Sequence, residues 1–222
     1  MIAMSSTNSP QKKRRLPWEM RAKQLLDVAE DLFAHRGYDA TTIEDIARAA
    51  DVTRPIVYEH YKSKEGMYVA CVQRARTEFE TELAASAMAA TDLVDVVERS
   101  GDVYFAMLER DPHRWAILFS SPAPLSGTLG DTLSDRRFET LARVGAILTP
   151  YLPGAEPRTL DAFAHQIGGA AEQLGRWWLR NPDLPRATIT DHFQTFVLNG
   201  IPTHWRHGRS PGDAHGLDAP VL

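Results

Sequence analysis

The segment from residue 53 to residue 64 concentrates side chains whose chemistry suits contact with a DNA duplex. A guanidinium such as that of Arg54 can make a bidentate contact with guanine O6 and N7. Neutral donors, carried here by Tyr58 and His60, commonly bind backbone phosphates, and Lys64 adds a cation beside the first amides of a following helix. The candidate base contacts are Arg54, Pro55 and Ile56, and the candidate phosphate contacts are Thr42, Thr53, Tyr58, His60 and Lys64.

Two short helices joined by a tight turn would position these side chains. Thr41 and Glu44 have the spacing of a capping box at the start of the first helix. Asp51 suits the turn because Asp tolerates the left-handed backbone region. Thr53 is expected to cap the second helix, with Pro55 in its first turn, where a missing amide costs nothing. A helix-turn-helix places its second helix in the major groove, but an ordinary helical hairpin with a solvated polar face fits the same pattern.

Several features between Leu25 and Met67 occur in a characteristic order and spacing. They are the Gly37-Tyr38 pair, the Thr-Thr helix start, an I-A-x-x-A approach to the turn, and a Tyr58-x-His60-Tyr61-x-x-Lys64-Glu65 ending. In this order they resemble the DNA-binding domain of the tetracycline-repressor (TetR) family of bacterial transcription regulators. The resemblance covers about the first third of the chain and favours the helix-turn-helix over the plain hairpin.

The resemblance implies an all-α fold, with an N-terminal three-helix helix-turn-helix DNA-binding domain and a C-terminal helical ligand-binding and dimerisation domain. It also implies a homodimer, most often a repressor that leaves a palindromic operator when a small molecule binds the C-terminal domain. The operator half-sites would lie about one helical turn, ~34–36 Å, apart. The expected divisions are a flexible basic arm at 1–17, the DNA-binding domain at 18–64, the regulatory domain at 65–202 and a loose tail at 203–222.

Two residues depart from the family pattern. Asp51 stands where many members carry Gly, a change that we expect to be tolerated. Glu59 is acidic on the surface that would face the groove. It either accepts a hydrogen bond from a cytosine amino group or pairs with a neighbouring base such as Lys62.

The charge distribution is uneven along the chain. The 25 Lys+Arg and 29 Asp+Glu give a net charge of −4, which argues against a protein that coats DNA without sequence preference. All five lysines lie at or before Lys64, so a mildly basic head precedes an acidic body. The basic run from Lys12 to Arg15 is either an arm that reaches phosphates or the minor groove, or a solubilising tail.

The body, from Leu93 onward, shows helical apolar periodicity and no alternating strand pattern. Residues 158–180 are apolar on two adjoining faces and rich in Gly and Ala, which predicts a helix buried on both sides. Its small residues predict close approach of another helix. The resemblance implies that this helix and the last one, at 187–199, form a four-helix bundle with their copies in a second subunit, and burial within one monomer is the alternative. The candidate dimer-interface residues are Ala164, Gly168, Ala171, Gly175, Trp178, Phe193 and Phe196.

Aromatic side chains in the body predict an apolar site for the effector, with ordinary core packing as the alternative. Family members respond to very different compounds, so the resemblance does not identify this effector. The candidate pocket residues are Tyr104, Met107, Trp115, Phe119, Phe138, Phe163 and Trp177.

Other chemistry has little support in the sequence. Catalytic and phosphate-cradling motifs are absent, so we expect no enzyme activity, no cofactor and no metal site. His204 and His207 have a spacing that could supply half of the ligands of a metal site, but they lie in a Gly/Pro-rich tail. Cys71 is the only cysteine, expected to be a buried and inert thiol.

Without a membrane-length apolar run or a secretory signal, the expected location is the cytoplasm. A helical small-molecule-binding or catalytic protein with a purely structural helix-turn-helix is the competing hypothesis.

Overall fold

The computed structural model describes residues 16–119 and 128–201. Within these ranges it is all-α, as predicted, with nine α-helices and one 3-10 turn at Thr149–Tyr151. None of the described helices is both long and apolar enough to cross a membrane. The helices are α1 (Trp18–Ala40), α2 (Ile43–Ala49), α3 (Arg54–Tyr61), α4 (Lys64–Met88), α5 (Leu93–Arg110), α6 (Pro112–Phe119), α7 (Thr128–Leu148), α8 (Pro157–Trp178) and α9 (Arg186–Gly200). The Lys12–Arg15 run and the His204/His207 pair lie outside the described residues.

The head consists of α1, α2 and α3, and the capping box of α2 lies one residue later than predicted. Thr42 is the N-cap: its hydroxyl oxygen accepts from the Asp45 amide at 3.1 Å, and the Asp45 carboxylate accepts from the Thr42 amide at 3.1 Å. The Thr41–Glu44 prediction is therefore wrong. Thr41 is buried, and its hydroxyl donates to the Gly37 carbonyl at 2.8 Å, so this side chain closes the end of α1.

Two of the backbone expectations at the head's turns are confirmed. Asp51 has a φ of 52° in the turn between α2 and α3, and Pro55 lies in the first turn of α3. Gly37 interrupts α1 with a φ of 78° and a ψ of 169°. Thr53 occupies the N-cap position of α3, as predicted, but its side chain makes no capping hydrogen bond.

One long helix, α4, joins the head to the body, and ionic contacts reinforce this junction. Arg74 on α4 binds both Asp27 and Glu30 on α1. Arg114 on α6 lies 3.0 Å from Glu30 and 2.6 Å from Glu78. Because the Glu30 side chain is only 12% exposed and contacts two arginines, it holds α1 against both α4 and α6.

In the body, α5 packs between α4 and α9, and α7 packs against α8. Close approach explains two of the body's glycines. A Cβ on Gly101 would lie 2.9 Å from the Phe193 ring, and one on Gly175 would lie 3.0 Å from the Trp115 ring. Cys71 is fully buried, as predicted, and burial raises its pKa to about 12, which leaves the thiol protonated and unreactive.

Candidate nucleic-acid interface and ligand cavity

Buried anchors hold α3 on the head and turn its polar side outward. Val57 is fully buried, and the Tyr61 hydroxyl donates to the Ala22 carbonyl of α1 at 2.8 Å. Arg54 and Pro55 are exposed, as base contact would require. Ile56 is half-buried and packs against the core of the head, so it presents less surface to a duplex than its neighbours do.

Arg54 has a partner that DNA would have to displace. Its Nη1 lies 3.5 Å from Oε2 of Glu44, and both side chains are more than half exposed. An exposed pair of this kind contributes at most about 1 kcal/mol, because water screens the charges. The Glu44 carboxylate therefore orients Arg54 on the outer surface without holding it there strongly.

The predicted phosphate contacts from threonine and tyrosine differ in how free their hydroxyls are. Thr42 donates its hydroxyl proton to the Asp45 carboxylate at 2.6 Å, so it is already engaged in the capping box. Thr53 is exposed and makes no capping bond, and Tyr58 is 40% exposed. Thr53 and Tyr58 are therefore better placed than Thr42 to donate to phosphate.

The remaining phosphate candidates flank the end of α3. His60 stacks on Trp18, with ring centroids 3.7 Å apart, and burial lowers its pKa, so it is a neutral donor at pH 7. Lys64 lies 4.2 Å above the Tyr38 ring and donates to the Asp39 carbonyl at 3.3 Å. Lys62 donates to the backbone carbonyl of Glu59 at 3.0 Å, and among the described residues the Glu59 carboxylate forms no ion pair.

A cavity of about 90 Å³ lies inside the body, between α4, α5, α7, α8 and α9. Its polarity changes along the helices that line it. On α4 the lining runs from Arg76 to Leu83, and on α7 it runs from Arg137 to Leu148, in each case from charged to apolar residues. The apolar end includes Leu83, Val97, Val144, Ile147, Leu148 and Val197.

The polar end joins three helices through the buried side chains of Arg76, Thr140 and Glu172 and the half-exposed Arg137. Arg76 of α4, which is 5% exposed, donates to the hydroxyl of Thr140 and to the Arg136 carbonyl on α7. Arg137 of α7 binds Glu172 of α8 at 2.6 Å. Burial raises the pKa of Glu172, and the nearby arginines oppose this shift. Sequence reasoning missed this end because each contact joins residues far apart in the chain.

The predicted pocket residues do not converge on this cavity. Tyr104 and Phe119 line it, whereas Met107 and Trp115 are buried in the core outside the lining. Phe138 and Trp177 are 55% and 44% exposed. Phe163 lines a separate shallow groove on the outside of α8 and α9.

The predicted dimer-interface residues lie mostly inside the monomer, which requires a correction. The Ala164, Ala171 and Trp178 side chains are buried, and Gly168 faces Leu141 of α7. Gly175 packs on Trp115, and Phe193 packs on Gly101, so neither faces outward. Only Phe196, at 66% exposure, is available to a second copy. The adjoining surface of α8 and α9, which we call the outer face, contains the exposed residues Gly169, Trp177 and Phe196 and the half-buried Phe163 and Ala170.

A helix-turn-helix with an outward polar surface, joined by one long helix to a helical body that encloses a cavity, defines the class of ligand-responsive DNA-binding regulators. The family described as bacterial regulatory proteins, tetR family, matches residues 25–71. The HTH-type transcriptional repressor Rv3405c of Mycobacterium tuberculosis is 32% identical over 184 residues, which span 81% of this chain and 84% of that protein. The chain belongs to the TetR family of bacterial transcriptional regulators, so the predicted family and fold class are confirmed.

Two further similarities extend over most of the chain. The HTH-type transcriptional activator FasR of Mycolicibacterium smegmatis is 29% identical over 174 residues, which span 75% of this chain and 76% of that protein. FadR from Bacillus subtilis, solved in complex with stearoyl-CoA, matches with a TM-score of 0.71 at 16% identity, over 81% of this chain and 99% of that one. At this identity the FadR similarity concerns the fold alone.

Proposed function

We propose that this protein is a homodimeric, cytoplasmic repressor that binds a palindromic operator and leaves it when a small molecule enters the body cavity. The observation that carries the proposal is the orientation of α3. The buried side chain of Val57 fixes this helix on the head, while Arg54 and Tyr58 remain exposed. Repression is favoured over activation because Rv3405c, a named repressor, has higher identity and coverage than the activator FasR.

In this proposal α3 enters the major groove with its N-terminal end first. Arg54 and Pro55 are the main base contacts, and Ile56 contributes a smaller apolar contact to a thymine methyl group. Thr53, Tyr58, His60 and Lys64 bind phosphates. Thr42 contributes through its position at the N-terminus of α2 rather than through its hydroxyl, which Asp45 already engages.

The second subunit is proposed to cover the outer face. Among the described residues, this surface exposes a large aromatic side chain on each of α8 and α9, namely Trp177 at 44% and Phe196 at 66%. Two such faces related by a two-fold axis would form a four-helix contact from α8, α9 and their copies.

Effector binding is proposed to act through α4, because this helix both lines the cavity and carries the head. Arg76, Phe79 and Leu83 line the cavity from α4, and Arg74, on the same helix, binds α1. A ligand that changes the position of α4 changes the position of both heads in the dimer. By linkage, bound operator DNA must then lower the affinity for the effector by the same factor by which the effector lowers the affinity for the operator.

A gel-shift assay on the DNA upstream of the protein's own gene, with scrambled DNA and a salt series, tests the proposal. We expect Arg54→Ala to cost roughly 1–3 kcal/mol of operator affinity and to relax sequence preference at one position. We expect Lys64→Ala to weaken binding to all sequences and to lower the salt slope by about one.

Arg99→Ala is the matched control, because it removes an exposed guanidinium from α5 that pairs with Asp95, away from the head. It should leave affinity, sequence preference and salt slope unchanged. If Arg54→Ala behaved like Arg99→Ala on the specific operator, α3 would not read bases through Arg54. Equal, weak retardation of operator and scrambled DNA would contradict sequence-specific binding at this site.

A further inference from the structure

The polar end of the body cavity presents hydrogen-bond donors that have no acceptors. Tyr104 and Arg76 line the cavity, and within the described residues the buried Tyr104 Oη and Arg76 Nε have no acceptor for their protons. Arg176 Nε is also buried without a partner. Trp115 Nε1 is buried and directs its N–H toward the Tyr104 hydroxyl, where it opposes the effect of burial on the pKa of Tyr104, so the proton of that hydroxyl is the one that lacks an acceptor. The Trp115 ring lies 6.4 Å from the Tyr104 ring, and Arg176 donates to the carbonyl of Phe119, a lining residue. The missing partners are therefore acceptors.

The charges around these donors favour an anion. Tyr104 lies within the electrostatic reach of Arg137, Arg176 and Glu172. Glu172 is in turn influenced by Arg137, Arg176 and Arg76. Arg76 is also influenced by Glu80 and Glu139, but these carboxylates lie 3.0 Å from Arg143 and 3.2 Å from Arg136, which pair with them. Glu172 is already bound by Arg137 at 2.6 Å. An amine would add donors where acceptors are missing, and an alcohol would bring an acceptor without a charge.

The opposite end of the cavity is lined mainly by apolar side chains, and Ser100 of α5 lies in the lining between Val97 and Tyr104. Val97 of α5, Val144 of α7 and Val197 of α9 line it together with other aliphatic side chains. Burial of a hydrocarbon chain there is favourable by about 0.8 kcal/mol per methylene. The cavity thus combines an acceptor-seeking cationic end with an aliphatic end, which matches a molecule that has one anionic head and one apolar chain.

We propose that this cavity binds a free monocarboxylate with an aliphatic chain, whose carboxylate accepts hydrogen bonds from Tyr104 and Arg76. The aliphatic chain of the ligand extends along α7 from Thr140 toward Leu148, in the direction in which the lining becomes apolar. This inference rests on the proposed function only in taking the cavity as the effector site. A neutral acyl ester or thioester would bring the carbonyl acceptor without the charge.

Isothermal titration calorimetry on the full chain without DNA tests the ligand class. Hexanoate, octanoate and decanoate are compared with methyl octanoate, 1-octanol and the octanoyl thioester of N-acetylcysteamine. We expect affinity to rise up to about fourfold per added methylene until the aliphatic end is filled. We expect the three neutral compounds to bind at least about tenfold more weakly than octanoate, because a hydrogen bond to a charged group is the stronger kind.

The proposal is overturned if the neutral ester or thioester binds as tightly as octanoate, because the polar end would then not select for charge. It is equally overturned if no carboxylate in the series binds while circular dichroism shows the protein to be folded.

Two variants test where the carboxylate and the aliphatic chain of the ligand bind. Tyr104→Phe removes one hydroxyl without changing the ring, and it should lower octanoate affinity about tenfold. Tyr151→Phe is its matched control, because that hydroxyl donates to the Ala90 carbonyl outside the cavity and its loss should leave octanoate affinity unchanged. Val144→Phe should shift the preferred ligand from octanoate toward the shorter hexanoate. Misfolding would not produce such a change of preference. Unchanged octanoate affinity in Tyr104→Phe would place the carboxylate elsewhere.

The same titrations separate this inference from the proposed function. If octanoate binds as described but does not release operator DNA in the gel shift, the cavity is a carboxylate site and the effector role is wrong. If operator binding is sequence-specific but carboxylates do not bind, the regulator assignment stands and the ligand class is wrong.

Discussion

The two faces of α8 carry similar residues but contact different surroundings. One face packs inward: Gly168 lies against Leu141, and Gly175 lies against Trp115. On the outer face, a Cβ on Gly169 would meet no atom within 4 Å, and Trp177 is 44% exposed. The small residues that suggested a subunit interface thus mark close packing within the monomer, and exposed aromatic residues mark the surface that a second copy would cover.

The largest expected effect is loss of the dimer when a charge enters the outer face. Phe196→Asp places a carboxylate in what we propose is the centre of the subunit contact. Truncating or charging a central aromatic residue typically costs at least about 2 kcal/mol of association. Analytical ultracentrifugation over a concentration series should therefore show a Kd raised by about thirtyfold or more.

Met88→Asp is the control for that change, because Met88 is 88% exposed at the end of α4, away from the outer face. Its dimerisation should match that of the unmodified chain. A dimer that survives Phe196→Asp but dissociates in another variant of α8 would remove the distinction between the two faces.

A pair of glycine substitutions sharpens the comparison at the level of subunit stability. In Gly175→Ala the new Cβ would lie 3.0 Å from the Trp115 ring and 3.2 Å from Leu108. Such overpacking lowers the free energy of unfolding by roughly 1–3 kcal/mol. In Gly169→Ala the Cβ enters open space, and the better helix propensity of Ala should stabilise the subunit by up to about 1 kcal/mol.

Urea unfolding in the Phe196→Asp background measures both changes without a contribution from subunit dissociation. Opposite signs for the two alanines are expected. Equal losses would mean that the outer face is as closely packed within the monomer as the inner one.

The smallest expected effect concerns Glu172, the carboxylate on the inner face. Burial raises its folded-state pKa above the ordinary 4.5, so the folded state favours the neutral form. The resulting stability is present below pH 4.5 and is lost as pH rises through the folded-state pKa. Glu172→Gln has no such titration, and it also removes the ion pair to Arg137, whose side chain is 45% exposed.

Thermal unfolding across a pH series should therefore show Tm of Glu172→Gln rising relative to the unmodified chain as pH increases above 4.5. Glu139→Gln is a suitable control, because Glu139 is more than half exposed on α7. A Tm difference for Glu172→Gln that does not vary with pH would contradict burial as the dominant influence on this carboxylate.

Local signals predicted the head well because its structure depends on neighbouring residues. The positive φ of Asp51 and the place of Pro55 follow from turn and helix chemistry alone. The capping box was misplaced because Thr41 and Thr42 each precede an acidic residue at the required spacing. The choice between them is made by α1, whose Gly37 carbonyl takes the Thr41 hydroxyl.

The body could be predicted only as a set of helices. Which face of α8 is buried depends on Leu141 and Trp115, and neither is close to α8 in sequence. The polar end of the cavity depends on pairs such as Arg137 with Glu172, 35 positions apart. Sequence periodicity shows that a face is apolar, but it does not show what that face contacts.

The unpartnered donors of the cavity also bear on how long the protein survives in a cell. Each buried donor without an acceptor costs about 1–3 kcal/mol, and Tyr104 Oη and Arg76 Nε each lack one. A ligand that supplies acceptors lowers the unfolded fraction by mass action. A change of about 1–2 kcal/mol alters steady-state abundance several-fold, because proteases degrade unfolded chains. The molecule that releases the regulator from DNA would thus also slow its turnover and increase its copy number.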